Sequence, residues 1–123
     1  MLIEPEWALA FATAWVEAWN AADLDRILSH YADEFEMGSP LIGERMGVES
    51  GRLLGKDAVR PYWAIGVSAD PPPRFELIDV FSGIDVVAIL YRNVNRNRLV
   101  IERLRFDSER RVIEAEALHC IHQ

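Results

Sequence analysis

Two blocks, Trp19-Asn20-Ala21-Ala22-Asp23-Leu24-Asp25-Arg26-Ile27-Leu28 and Gly55-Lys56-Asp57-Ala58-Val59-Arg60-Pro61-Tyr62-Trp63, constrain this chain more than any other feature. The first reads as the end of one helix, a tight connection and a second short helix. The second reads as a glycine stop followed by a third helix. Both precede a second half rich in strand patterns, so helices must come first and a sheet must form afterwards and pack on them. At 123 residues, with 50% hydrophobic and 27% charged side chains, the chain has the composition of one domain around one core.

The helix face is explicit. From Glu6 to Asn20, Trp7, Phe11, Ala14, Trp15 and Ala18 recur at three- and four-residue spacing, which gathers bulky apolar groups on one side. Asp23 is placed to cap a second helix running to about Tyr31. Phe35, Met37 and Ser39 alternate with Glu36 and Gly38, predicting a short strand halted by Pro40. Leu41 to Leu54 holds three glycines and no sustained period, so a long loop or loose hairpin is expected there. Lys56 to about Gly66 predicts the third helix, with Pro61 shortening or kinking it. Pro71-Pro72-Pro73 is a rigid connector. Four strands follow, Arg74 to Phe81, Val86 to Asn95, Arg98 to Phe106 and Arg111 to Cys120, separated by turn-forming residues. The expected fold class is α+β: a single domain with three helices and a curved, cone-shaped antiparallel or mixed sheet wrapped round the long N-terminal helix. The open end of such a cone is a pocket.

Charge and cysteine usage exclude several roles. The formal net charge of −7, from 20 acidic and 13 basic residues, repels a phosphate backbone, so no nucleic-acid partner is expected. Arg92, Arg96, Arg98, Arg103, Arg105, Arg110 and Arg111 are interleaved with Glu102, Asp107 and Glu109, a pattern that favours a solvated sheet face over an anion-binding patch. The N-terminal apolar stretch is too short to span a membrane and lacks the basic flank of a signal peptide. The single cysteine, Cys120, cannot form an internal disulfide, which fits a cytoplasmic location. No motif for a metal, a phosphate group or a nucleotide cofactor occurs. His119 and Cys120 are strand neighbours that face opposite sides, and no serine sits in a nucleophile elbow.

Acid/base chemistry is better represented. In Leu99-Val100-Ile101-Glu102-Arg103-Leu104-Arg105-Phe106, the arginines mark one face as polar, which turns Val100, Glu102, Leu104 and Phe106 to the other. An inward Glu102 has its charged form disfavoured by desolvation and is available as an acid or hydrogen-bond donor. A bulge that turns Glu102 outward to an arginine is the competing reading. Ala115, Ala117 and His119 share a face of the last strand, where the small alanines leave room and His119 can exchange protons near neutral pH. Tyr91 and Asn93 share a face with Val87 and Ile89. Trp63 is expected to pack, and Tyr62 either packs or reaches the pocket.

The order of elements and the motifs Asn20-Ala21-Ala22-Asp23-Leu24-Asp25 and Gly55-Lys56-Asp57-Ala58-Val59-Arg60, with the final strand, resemble the nuclear-transport-factor-2-like superfamily from about Trp7 to Cys120. That superfamily includes ketosteroid isomerase, SnoaL-like polyketide cyclases and limonene epoxide hydrolase. The isomerase uses a tyrosine on its first helix, an aspartate base before a proline and a protonated aspartate in its penultimate strand. The matching positions here carry Trp15, Ser39 and Glu102, so the resemblance implies an acid at Glu102 and no steroid-isomerase base, because serine cannot replace the carboxylate. Glu44 or Glu49, in the segment after Pro40, is a candidate for a missing base.

Two functions follow as expectations. One is an isomerase, cyclase or hydrolase acting on a small apolar carbonyl or polycyclic substrate, with Glu102 and His119 catalytic and Trp15, Ser39, Tyr62, Tyr91 and Asn93 binding ligand. The other is a non-catalytic binding or dimerisation module. Leu77, Val80, Val87, Ile89 and Leu118 offer more apolar sheet surface than one helix layer covers, which predicts a homodimer through the sheet face.

Overall fold

A computed structural model describes residues 2–122. Ten elements follow in order: α1 (Pro5–Asn20), α2 (Leu24–Leu28), β1 (Tyr31–Gly38), α3 (Pro40–Met46), β2 (Arg52–Leu54), α4 (Lys56–Val67), β3 (Phe75–Ser82), β4 (Val86–Asn93), β5 (Arg98–Phe106) and β6 (Val112–His119). The strands form one sheet in the order β2-β1-β6-β5-β4-β3. The β1/β6 pair is parallel and every other pair is antiparallel. This is an α+β single domain with a mixed, curved sheet.

Pro5 begins α1 at a position where its missing N–H costs nothing. Ala8, Phe11, Ala12, Trp15, Val16, Ala18 and Trp19 form its buried face. The end of α1 is tied to the sheet by a single side chain: Asn20 Nδ2 donates to the Phe75 carbonyl at 3.0 Å, and the Phe75 N–H donates to Asn20 Oδ1 at 2.7 Å. Asp23 caps α2, its Oδ1 accepting from the Arg26 N–H at 3.1 Å. The helix is only five residues long, so β1 starts at Tyr31, the residue expected to end a helix.

The segment after Pro40 departs from the loop expected of it. Ser39 Oγ accepts from the Leu41 N–H at 3.2 Å and caps α3, with Pro40 in its first turn. Gly47 ends the helix at φ +68°, a left-handed conformation that favours glycine. The chain then returns as β2, pairing Leu53 with Met37. Among the described residues the helices therefore number four. Pro61 removes one backbone donor from α4 without ending it, since the helix runs to Val67. Among the described residues, no helix is long and apolar enough to cross a membrane.

Along the axis of the curl, α1 closes one end. Trp7 stacks on Phe11 with centroids 5.3 Å apart, and Phe106 meets both rings edge-on at 5.3 Å and 5.0 Å. Arg110 covers this plug, 4.7 Å from the Trp7 ring and 2.8 Å from Glu4 Oε2. At the other end, Trp15, Trp19, Phe75 and Tyr91 line an open space.

The sheet surface expected for dimerisation needs revision. Val87 and Ile89 are fully buried within one chain, and Leu77 and Val80 pack against its core. Of the five residues only Leu118 is exposed. Its neighbours on the outer face are Ile101 and Leu90, joined by the register Leu90↔Ile101↔Leu118.

Replacing Asn20 with Ala removes both bonds to the Phe75 peptide and should cost about 1–2 kcal/mol in urea unfolding. Asn20→Asp, which keeps the acceptor and loses the donor, should fall between. Equal stability of all three proteins would show that this clamp contributes nothing.

Candidate active site

The open end of the cone is a cavity of about 420 Å³, within the range of small-molecule sites. Its position follows from strand parity. The inner face of β5 reads Arg98, Val100, Glu102, Leu104 and Phe106, from the mouth through the cavity to the aromatic plug. The β4–β5 register runs unbroken from Arg98 to Arg105, and the β5–β6 shift occurs only between Arg105 and Phe106. No bulge therefore turns Glu102 outward, and it is 3% exposed.

No hydrogen bond or ion pair reaches the Glu102 carboxyl among the described residues, although the residue lines the cavity. Burial without a counter-charge penalises the carboxylate and pushes its pKa from 4.5 up to about 8. Glu102 is thus a neutral acid at pH 7. Three phenols, Tyr31, Tyr62 and Tyr91, are each raised in pKa chiefly by burial, and Glu102 raises them further once it is ionised.

His119 lies opposite Val100, and Ala117 lies opposite Glu102. His119 and Glu102 are therefore diagonal neighbours on one face, about 7–8 Å apart in backbone terms. Burial lowers the His119 pKa, and Arg98, Arg96 and Arg45 lower it further. The imidazole is neutral near pH 7 and able to accept a proton. His119 Nε2 and Trp19 Nε1 are buried without hydrogen-bond partners among the described residues. Each such group costs about 1–3 kcal/mol, a cost that ligand contacts would offset.

The cavity wall contains Trp15, Ser39, Tyr62, Tyr91, Asn93, Glu102 and His119. Trp63 also reaches it, in addition to packing edge-on against Trp19 and Tyr31. Ser39 faces Tyr62 while capping α3, so its hydroxyl is a structural acceptor. Glu44, on α3, lines the cavity, and Glu49 does not.

Residues 12–119 match the SnoaL-like domain family. The chain belongs to that family. It is 45% identical to a SnoaL-like protein of unknown function from Burkholderia thailandensis, covering 98% of this chain and 99% of that one with a TM-score of 0.93. Two further structures share the fold. One is a nuclear-transport-factor-2-like protein of unknown function from Cytophaga hutchinsonii, at 8% identity, 98% and 93% coverage and a TM-score of 0.69. The other is a nuclear-transport-factor-2-like protein of unknown function from Burkholderia xenovorans, at 18% identity, 93% and 84% coverage and a TM-score of 0.71. No functionally curated protein matches the chain.

Two features of this SnoaL-like domain were missed in the sequence. Trp15 Nε1 donates to Tyr31 Oη at 2.9 Å, which fixes a fully buried phenol behind the cavity wall. Reading Tyr31 as the end of a helix hid it. The second feature is the group of arginines at the mouth. Arg103 and Arg105 pair with Glu114, Arg110 with Glu4, and Arg111 with Asp107 and Glu109, as a solvated face requires. Arg96 and Arg98 instead line the cavity, joined by Arg45 from α3.

The raised Glu102 pKa has a consequence for stability. Between pH 4.5 and about 8 the unfolded chain releases this proton and the folded chain keeps it, so the group's contribution to stability falls as pH rises. Glu102→Gln mimics the neutral acid and cannot titrate. Its melting temperature should exceed that of the parent by a margin that widens from pH 5 to pH 8. A margin independent of pH would show that Glu102 titrates normally in the folded protein.

Proposed function

We propose that this SnoaL-like domain is an acid/base enzyme, an isomerase, cyclase or hydrolase acting on a small, mainly apolar carbonyl or polycyclic substrate. The observation that carries the reading is a buried, unpaired, protonated carboxyl on the wall of an open cavity. Glu102 donates a hydrogen bond to a substrate oxygen as negative charge develops there, and a donor already held in an apolar wall needs no reorganisation during the reaction. Neutral His119, diagonal to it on the same face, accepts the proton that the substrate loses. Trp15, Tyr91 and Tyr62 hold the apolar body, and Ser39 and Asn93 supply polar contacts nearer the mouth.

One observation favours a second reading, a non-catalytic binding module. At the position before Pro40, where the resemblance places a carboxylate base, Ser39 spends its oxygen on the α3 N-terminus. Assays of carbonyl isomerisation, aldol-type cyclisation and epoxide hydrolysis separate the two. For the reaction found, Glu102→Leu, which removes the donor, should lower kcat about 100-fold or more with the fold intact, the scale of losing one oxyanion donor. No turnover in any of these assays would leave the binding module, and turnover unchanged in both Glu102→Leu and His119→Ala would refute the roles given to these two residues.

The proposed assembly is a homodimer through the outer sheet face, centred on Leu90, Ile101 and Leu118 and flanked by the Arg103–Glu116 register pair. A reducing cytoplasm suits the single cysteine. Sedimentation at micromolar concentration should give a dimer that Ile101→Lys converts to monomer. A monomeric parent protein would refute this assembly.

A further inference from the structure

The cavity mouth has a charge opposite to that of the chain as a whole. Arg45 on α3, Arg96 in the β4–β5 turn and Arg98 at the start of β5 all line it. None of the three has an ion-pair partner among the described residues, in contrast to the arginines further along β5 and beyond it. They line the same cavity as His119 and Tyr62; the charges of all three lower the His119 pKa, and those of Arg45 and Arg96 also lower that of Tyr62. Among the described residues, Glu44 and the buried Glu102 are the carboxyl groups that line the cavity with them. Three guanidinium groups against two carboxyl groups make the mouth locally positive on a protein of net charge −7.

Uncompensated arginines at the rim of an apolar chamber suit a ligand with two ends. Below them the wall is aromatic, with Trp15, Trp19, Phe75 and Tyr91 in mutual contact at centroid distances of 4.4–6.1 Å. This surface takes a flat or polycyclic body. At the rim, the planar donor forks match a carboxylate or similar oxyanion bidentately. We propose that the ligand of this cavity is an apolar organic anion, its hydrophobic body among the aromatic rings and its anionic head at Arg45, Arg96 and Arg98. The inference rests on the proposed role of the cavity as a small-molecule site and narrows its substrate class from neutral apolar compounds to hydrophobic acids.

A matched pair of probes tests it. 1-Anilinonaphthalene-8-sulfonate and N-phenyl-1-naphthylamine share one fluorescent body and differ in the anionic group. The parent protein should bind the sulfonate at least tenfold more tightly at low ionic strength, and the preference should shrink as salt screens the rim. In the double variant Arg96→Ala/Arg98→Ala, whose changes lie on exposed positions, sulfonate affinity should fall about tenfold and that of the neutral probe should stay within twofold. Glu44→Gln should strengthen sulfonate binding alone. Equal affinity for both probes, or equal weakening of both in the double variant, overturns the anion inference and leaves the cavity a neutral apolar site. Binding of neither probe at millimolar concentration overturns the small-molecule reading itself.

Discussion

Placement of the aromatic side chains along α1 determines where this protein can have a site. A helix lying in a curled sheet would fill the curl completely if its apolar face were uniform in size and reach. Here the first two turns supply Trp7 and Phe11, which interlock with Phe106 and seal one end. The later turns supply Trp15 and Trp19, whose rings lean on Phe75 and Trp63 at the wall and leave the centre open. Each good aromatic pair contributes about 0.5–1.5 kcal/mol beyond area burial, so the walls of the cavity are stabilised by contacts with one another. They do not depend on a ligand to hold their shape. The Asn20 clamp onto Phe75 fixes the open end further, because it ties the end of α1 to the strand that completes the aromatic wall.

Within that frame, Glu102 is the residue that folding alone would not select. Leucine or methionine at this position would fill the wall without a titratable group, and an ionised glutamate would need a partner that the surrounding residues do not supply. The carboxyl persists in neutral form, and its retention as a proton donor costs stability as pH rises towards 8. Sites of catalysis are where such costs tend to be tolerated. His119 is subject to the opposite shift: burial and three arginines keep it unprotonated. The environment thus separates the two groups into a donor and an acceptor at the same pH.

Much of this arrangement was legible in the sequence because strand side chains alternate. The arginines at 103 and 105 mark the parity of β5, and the alanines at 115 and 117 mark that of β6, so alternation alone places Glu102 and His119 on inward faces. Which face of one strand matches which face of the next depends on their register, however, and alternation within a strand does not supply it. Val87 and Ile89 looked like surplus apolar surface, but they are fully buried in the core, and the outer row is instead Leu90, Ile101 and Leu118. Local signals were also present and under-read. Ser39-Pro40 is a helix start, with a capping oxygen and a proline in the first turn, and Gly47 marks its end, yet three glycines in fourteen residues suggested a loop. Tyr31 had no such signal. Its role depends on a hydrogen bond to Trp15, sixteen residues away, and on a five-residue helix that stops earlier than propensity alone implies.

The arginines at the mouth connect these observations. On a strongly acidic chain, long-range electrostatics would repel an anion until it approached within about a Debye length, roughly 8 Å at physiological salt, of the rim. Selectivity at short range then comes from Arg45, Arg96 and Arg98. An anionic head bound among them would alter both catalytic candidates in the useful direction. Added negative charge near Glu102 would disfavour its ionisation and keep the proton on the donor. The same charge would offset the arginines that depress His119 and make the imidazole a stronger base when substrate is present. An empty site would then hold a weak base beside a ready acid, and the ligand's own charge would complete the pair. In that arrangement the rim acts on the chemistry through the field it exerts on His119, without touching the reacting atoms.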